Sequence, residues 1–278
     1  MSLERNFNPN TPERRINIRH LTVEMPQPNE LLVFDAKKDV SPEDWRAMTY
    51  ELAFARGKTN WREFHIQASH MKLIDSSLDL MLDEEAWNGM RGALEEYHRG
   101  KDWLGFSECA ADMKILDPTI DLGLDEEAWN GMHAMLARER KGHHWWLVAF
   151  HAINMKILNP SIQIEFTAEE WQSMKERLKV ALIINDLSEF VMLASMLKTL
   201  NHSINLELDA EICNRILDEV KKSTAGCVGL FTKHIAGVTI LAGERVDISA
   251  HGVNVMPSIR KQGLFNPTPP IPEVRKFH

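Results

Sequence analysis

Apolar residues recur along the chain at two helical spacings, and each spacing is repeated several times. One set lies at offsets of 0, 3 and 7 residues, and the other at offsets of 0, 3, 7, 10 and 13. Residues at these offsets share one face of an α-helix, which has 3.6 residues per turn. We name the helices predicted from the second set A helices and those from the first set B helices.

The two helix types alternate within a tandem repeat of 42 residues. The 20-residue segments that start at Met71 and Met113 are identical at 14 positions. A third copy starts at Met155, and a more divergent fourth copy starts at Leu197. Self-similarity at a fixed period of this size is the signature of a repeat architecture, in which each unit packs against its neighbours.

The repeated positions also show where each helix begins. Each B helix follows a residue whose side chain can cap it, and a glutamate lies two positions later, where the helix dipole favours a carboxylate. Pro42 suits a first helical position, and Thr167 with Glu170 forms a capping box. The capping residues are Ser41, Asp83, Asp125, Thr167 and Asp209, the glutamates are Glu43, Glu85, Glu127, Glu169 and Glu211, and the tryptophans at apolar positions are Trp45, Trp87, Trp129, Trp171, Trp61, Trp103 and Trp145.

Between each A helix and the next B helix lies a short segment in which apolar and polar residues alternate. A period of two indicates extended backbone, and Pro118 and Pro160 end the preceding helices. We predict an extended connector whose apolar side chains fill the junction between the helices, and short strands that pair between repeats are the alternative. The connectors are residues 78–82, 120–124, 162–166 and 204–208.

The pattern weakens at both ends of the repeat array. Residues 41–57 form a B helix without a convincing A helix before it, residues 229–242 resemble a degenerate A helix, and residues 246–250 match the connector register. Worn end units are typical of capping repeats. We therefore predict an all-α fold, a right-handed α-solenoid of helix–loop–helix repeats with about ten helices, over residues 29–256.

Two segments outside the repeats are predicted to be extended tails. The N-terminal residues 1–28 lack a sustained period, and the C-terminal residues 257–278 contain five prolines. Proline-rich sequence favours a polyproline-like or irregular backbone. Both tails interleave apolar residues with prolines and arginines, so we expect at least one of them to act as a docking arm that orders on a partner.

The repeat consensus resembles one class of known proteins. It is W-x2-[FV]-x3-A-x2-M-K-[IL]-L-[DN]-P-[ST]-I followed by [DT]-x-E-x-W-x2-M, and it covers residues 41–222. In unit length and helix–turn–helix plan it resembles the α-solenoids of the HEAT, armadillo and tetratricopeptide class, although the tetratricopeptide period is 34 residues. The resemblance implies an architecture and no named function.

Charge is distributed unevenly along the chain, whose formal net charge is −8. Residues 1–28 carry +1 and residues 221–278 carry +5, so the residues between them carry −14. An acidic body repels phosphate backbones, which argues against nucleic acid in the solenoid and leaves contact through the C-terminal tail open. The chain has neither an apolar run long enough to span a bilayer nor a secretory leader, so we expect a soluble cytoplasmic protein.

Residues that could carry chemistry have structural explanations at this level. The scattered cysteines Cys109, Cys213 and Cys227 form no metal-binding or disulfide motif, and the histidines lack ligand spacing. We predict no catalytic, cofactor or metal site, and we assign the tryptophans to the core. One lysine per repeat complements the C-terminal dipole of an A helix, with a positive stripe for an acidic partner as the alternative. These lysines are Lys72, Lys114, Lys156 and Lys198.

These observations favour a non-catalytic scaffold or structural subunit that binds protein partners within a larger assembly. An RNA- or ribosome-associated protein that uses its basic C-terminal tail is the first alternative, and an enzyme whose site is not visible in the sequence is the second. A stack of similar units offers a long surface without a reactive residue. The partner-binding residues predicted on the tails are Arg14, Arg15, Arg19, Arg260, Lys261, Phe265, Arg275 and Lys276.

Overall fold

A computed structural model describes residues 40–206, 208–223, 236–237, 240–241, 243–249 and 252–257. Within these ranges the chain forms nine α-helices followed by a two-stranded antiparallel sheet. The odd-numbered helices are B helices and the even-numbered ones up to α8 are A helices. The elements are α1 (Pro42–Gly57), α2 (Trp61–Ile74), α3 (Glu84–Gly100), α4 (Trp103–Leu116), α5 (Glu126–Lys141), α6 (Trp145–Leu158), α7 (Ala168–Ile183), α8 (Leu187–Leu200), α9 (Ala210–Ser223), β1 (Gly243–Ser249) and β2 (Gly252–Pro257).

The predicted caps of the B helices are confirmed. The side chains of Ser41, Asp83, Asp125 and Thr167 each accept a hydrogen bond from the backbone N–H three residues later. The Asp209 carboxylate does the same for α9, with a distance of 2.8 Å. Each cap satisfies an N–H group that has no partner within the helix, so the polar column predicted from the sequence sets where these helices begin.

The turns from each B helix to the next A helix share one backbone feature. The residue one before the helix cap adopts a left-handed conformation, with φ between 52° and 60°. This conformation lets the chain reverse within a few residues, so consecutive helices lie side by side. The four residues are Thr59, Lys101, His143 and Asn185.

The helices pack in two layers. The A helices lie in a row, in which α2 contacts α4, α4 contacts α6, and α6 contacts α8, and B helices pack against them from one side. Buried methionines fill the space between the layers, and the alanines of the A helices are completely buried. The methionines are Met48, Met71, Met90, Met113, Met132, Met155 and Met174, and the alanines are Ala68, Ala110, Ala152 and Ala194.

The tryptophans border this core, and two glycines make room for them. The rings are partly buried against the core residues. A Cβ atom at Gly89 would overlap the ring of Trp61, and one at Gly131 would overlap the ring of Trp103. These two glycines therefore mark the positions where a tryptophan of the preceding A helix lies against the backbone of a B helix.

Extended connectors join each A helix to the next B helix, and in their described residues they form no strands. Their apolar side chains pack against the core, as predicted. Each A helix ends in a turn in which the Oδ1 atom of an Asp or Asn accepts a hydrogen bond from the backbone N–H two residues later, as Asp117 does from Thr119 at 2.8 Å. The Nζ atoms of Lys72 and Lys114 donate to the connector carbonyl oxygens of Leu78, at 2.8 Å, and Pro118, at 3.1 Å.

The described elements up to Ser223 are all helices, as predicted, but a β-hairpin that was not predicted follows them. Residues 246–249, predicted as part of a connector, belong to β1, which pairs antiparallel with β2 and brings Val246 opposite Val255. A lone connector and a strand share a period of two, so the sequence pattern could not separate them. Of the degenerate A helix predicted over residues 229–242, the described residues 236–237 and 240–241 are helical.

This hairpin packs on the row of A helices. Strand β1 contacts α6 and α8, and β2 contacts α2 and α4. The buried ammonium group of Lys198 donates to the Leu241 carbonyl oxygen at 3.2 Å, and burial lowers the pKa of this lysine. The C-terminal part of the chain is thereby attached to the A-helix row.

Candidate functional site

The A helices carry a second row of side chains that points away from the B helices. In α2, for example, the core positions Phe64, Ala68 and Met71 face the B layer, and Ile66, His70 and Leu73 each lie two residues later. A shift of two residues corresponds to about 200° around the helix, which is the opposite face. The same shift applies to the other A helices.

These outward-facing side chains form one groove, which we call the A groove. It crosses all four A helices, and the helical residues Ala236, Gly237 and Ile240 form part of its wall. Its cavity measures about 190 Å³. The lining residues are Ile66, His70 and Leu73 on α2; Glu108, Asp112 and Ile115 on α4; Trp146, Phe150, Ile153, Asn154 and Ile157 on α6; Met192, Ser195, Met196 and Thr199 on α8; and Ala236, Gly237 and Ile240.

The polarity of the A groove changes along its length. The α2 and α4 part holds His70, Glu108 and Asp112. The part over α6 and α8 is mainly apolar, and there the half-buried rings of Trp146 and Phe150 are stacked with centroids 5.5 Å apart and planes 5° apart. A flat aromatic surface next to carboxylates is suited to a ligand with apolar groups and positive charge.

A buried ion pair lies beneath the polar part of the A groove. The His65 Nδ1 atom on α2 lies 2.7 Å from the Asp112 Oδ2 atom on α4, and His65 has no exposed surface. Burial lowers the pKa of His65, but the hydrogen bond and charge of Asp112, together with the Cys109 thiol, outweigh this effect and raise the pKa to about 10. His65 is therefore protonated at neutral pH, and its contact with Asp112 joins two adjacent A helices.

The next pair of A helices, α4 and α6, carries a polar cluster at the equivalent positions, 42 residues later. This second cluster is neutral. The Ser107 Oγ atom on α4 lies 3.2 Å from the His151 Nδ1 atom on α6, and the Asn154 amide donates to the same oxygen at 3.4 Å. Burial lowers the pKa of His151 to about 4, so this ring is neutral at pH 7. In the following unit, the equivalent residues are Ala149, Leu193 and Met196, all of which are apolar.

The neighbourhood of Cys109, His65 and Asp112 combines the side-chain types of a cysteine nucleophile with its base. Catalysis would also require access for a substrate. Cys109 is 0% exposed, and its sulfur contacts the Met90 carbonyl oxygen at 3.7 Å. Ser107, beside His151, is also 0% exposed. Because a substrate cannot reach either nucleophile in this conformation, both clusters act as contacts between helices.

Two further cavities lie beside the connectors. One measures about 430 Å³ and is lined by residues 119–124 together with Lys114 and Trp129. The other measures about 210 Å³ and is lined by residues 78–82 together with Lys72 and Trp87. Since the two occupy the same position in successive units, they follow from the shape of each unit.

The residues predicted from the sequence to bind partners all lie outside the described ranges. Three of the four lysines in the repeated column, Lys72, Lys114 and Lys198, donate to backbone carbonyl groups. In the glutamate column, Glu127 pairs with Lys101 of the preceding unit at 3.1 Å. Members of both columns thus make contacts within the chain.

Sequence reasoning missed the A groove. A signal was present, because the A helices carry a second apolar stripe two residues after the first, which includes Ile66, Phe150 and Met192. A helix that is apolar on two faces is expected to be covered on both sides.

The described part of the chain holds neither a metal-binding cluster nor a membrane span. No group of three or more His, Cys, Asp or Glu side chains within it could hold a metal ion. None of the described helices combines the length and apolar character that a membrane span requires. In comparisons with known proteins, no family model, no curated protein and no solved structure matches this chain.

Proposed function

We propose that this protein is a non-catalytic scaffold that binds protein partners, and that the A groove is its main contact surface. The framework is a right-handed α-solenoid of 42-residue units, which holds the A helices in a row. The observation that carries the proposal is a continuous groove across four helices, lined mainly by apolar side chains. Such a surface suits a segment of polypeptide.

The dimensions of the groove favour a polypeptide over a small molecule. Sites for drug-sized ligands usually enclose about 300–1,000 Å³, and the A groove measures about 190 Å³ while extending over four helices. An extended peptide gains affinity from several shallow contacts along its length. The hairpin of the chain itself packs on the same four helices, so this layer already accommodates extended backbone.

Charge defines the kind of partner. The residues between 29 and 220 carry a net charge of −14, and Glu108 and Asp112 line the groove. Complementary charge accelerates encounter and rejects partners of the wrong sign, while apolar contacts supply most of the affinity. The partner segment is therefore expected to carry apolar side chains next to Lys or Arg.

A comparison of full-length variants tests this function. Phe150→Glu and Met192→Glu place a charge in the apolar part of the groove, and we expect each to reduce the stoichiometric recovery of co-purifying proteins about tenfold or more. The matched control is Ile183→Glu, because Ile183 is 82% exposed on the B helix α7. The measurement is quantitative mass spectrometry of proteins co-purified from a native extract, after circular dichroism has shown that each variant is folded.

Three outcomes have different meanings. Loss with the groove variants and retention with the control supports the scaffold function. Equal recovery with all variants contradicts a role for the A groove. Co-purified nucleic acid that disappears as salt is added would support the alternative of an RNA- or ribosome-associated protein, since counterion release dominates such binding.

A further inference from the structure

The last described residues of the chain lie close to the A groove. Strand β2 ends at Pro257 and packs on α2 and α4, two of the helices that line the groove. Another 21 residues follow, and ten peptide units separate Pro257 from Pro267. Ten extended residues reach about 33 Å, whereas adjacent packed helices lie about 8–10 Å apart. The segment is long enough to bring Pro267 to the apolar part of the groove on α6.

The chemistry of this segment matches that part of the groove. Residues 267–272 read Pro-Thr-Pro-Pro-Ile-Pro and contain two overlapping P-x-x-P patterns. Proline-rich segments bind aromatic grooves because their backbone is already extended and loses little entropy on binding. Trp146 and Phe150 provide a stacked pair of half-buried rings at this place.

Charge favours the same match. Residues 258–278 contain four Lys and Arg residues and one Glu, a net charge of +3. The polar part of the groove holds Glu108 and Asp112, within a strongly acidic body. Asp112 already pairs with His65 between α2 and α4, so we assign the attraction to the acidic body as a whole and to no single carboxylate.

We propose that residues 264–277 of this chain occupy the A groove in cis, with their prolines against Trp146 and Phe150. This inference rests on the proposed function, in which the groove is a protein-binding surface. The new element is that the chain's own C-terminal segment covers this surface. A partner must then displace the C-terminal segment. Competition of this kind makes the apparent affinity for the partner weaker than the intrinsic affinity of the groove.

A spin label on the C-terminal segment of the full-length protein tests the proposal. The label is attached at Ile271→Cys in a Cys227→Ser background, since Cys109 and Cys213 are buried and protected from the reagent. Methionine methyl groups are observed by NMR. We expect strong loss of signal at Met192 and Met196 in the groove, and little change at Met81, an exposed connector residue.

Two controls make the result decisive. Phe150→Glu should restore the Met192 and Met196 signals, because it places a carboxylate where the prolines bind. Mixing spin-labelled protein with isotopically labelled protein that lacks the spin label separates binding in cis from binding between copies. Signal loss in the mixture would overturn the cis assignment, and unchanged Met192 and Met196 signals in the singly labelled chain would overturn the proposal itself.

The experiment is independent of the test of the proposed function. If the C-terminal segment does not bind and partner recovery still depends on Phe150 and Met192, the scaffold function stands without self-occupation. If neither the segment nor a partner depends on these residues, both proposals fail.

Discussion

At the scale of single residues, equivalent positions of the repeat can share one backbone conformation but differ in how well their side chains tolerate it. Met81 and Gly123 occupy the same place in two connectors, and both adopt left-handed backbone, with φ of 47° and 58°. Glycine accepts this conformation freely, whereas other residues lose roughly 1–2 kcal/mol there. The connector of the first full unit therefore contains a strained residue that the second unit avoids.

This difference predicts opposite effects of two substitutions. Met81→Gly should raise the free energy of unfolding by about 0.5–1 kcal/mol, since Met81 is 82% exposed and loses little packing. Gly123→Ala should lower it by about 1 kcal/mol, although nothing lies within 4 Å of an added Cβ atom. Urea unfolding of both variants measures the changes in the free energy of unfolding. If the two changes had the same sign, backbone strain would be ruled out as their cause.

At the scale of elements, the contact between an A helix and the following B helix depends on a residue without a side chain. Trp61 on α2 lies against the backbone of α3 at Gly89. Glycine within a helix costs about 1 kcal/mol relative to alanine. That cost is offset here because the indole ring can approach the helix closely.

Two glycines of α3 test this explanation within one helix. Gly89→Ala should lower the free energy of unfolding by about 1–3 kcal/mol, because the added Cβ atom overlaps the Trp61 ring. Gly92→Ala should raise it by about 1 kcal/mol, because Gly92 is exposed and nothing lies within 4 Å. Thermal and urea unfolding provide the measurement. A stabilised Gly89→Ala variant would show that the ring has room to move.

At the scale of the whole molecule, two buried histidines make stability depend on pH in opposite directions. The pKa of His65 is raised to about 10 in the folded protein, so its contribution is complete below pH 6.5 and is lost as the pH rises toward 10. The pKa of His151 is lowered to about 4, so its contribution is complete above pH 6.5 and is lost as the pH falls toward 4. Together the two histidines favour maximum stability of the folded protein between about pH 4 and about pH 10.

The acid side of this dependence is testable with one variant. Lowering the pH from 7 to 5 should cost the wild type about 2 kcal/mol through His151. His151→Leu, which introduces the residue of the equivalent position Leu193, should lose this part of the pH dependence. Unfolding in urea at pH 7 and pH 5 measures the change in the free energy of unfolding for each protein. Identical pH dependence in the two proteins would contradict a neutral buried His151.

Most of the helical framework was predictable from the sequence because its determinants are local. Caps such as Ser41 and Thr167 act on N–H groups three residues away, and the apolar spacing reports the face that each helix buries. These signals recur in every unit, so each copy supports the interpretation of the others. The predicted helix positions, caps and connectors were correct within residues 41–206 for this reason.

The C-terminal hairpin and the A groove were decided by tertiary structure. The alternation in residues 246–249 specifies extended backbone, but its pairing partner and its place on the A helices depend on contacts distant in sequence. Likewise, the sequence determines that Ile66, Phe150 and Met192 lie on one helical face. Whether that face is buried, open or occupied depends on how four helices and the chain end come together, because burial is a property of the assembled surface.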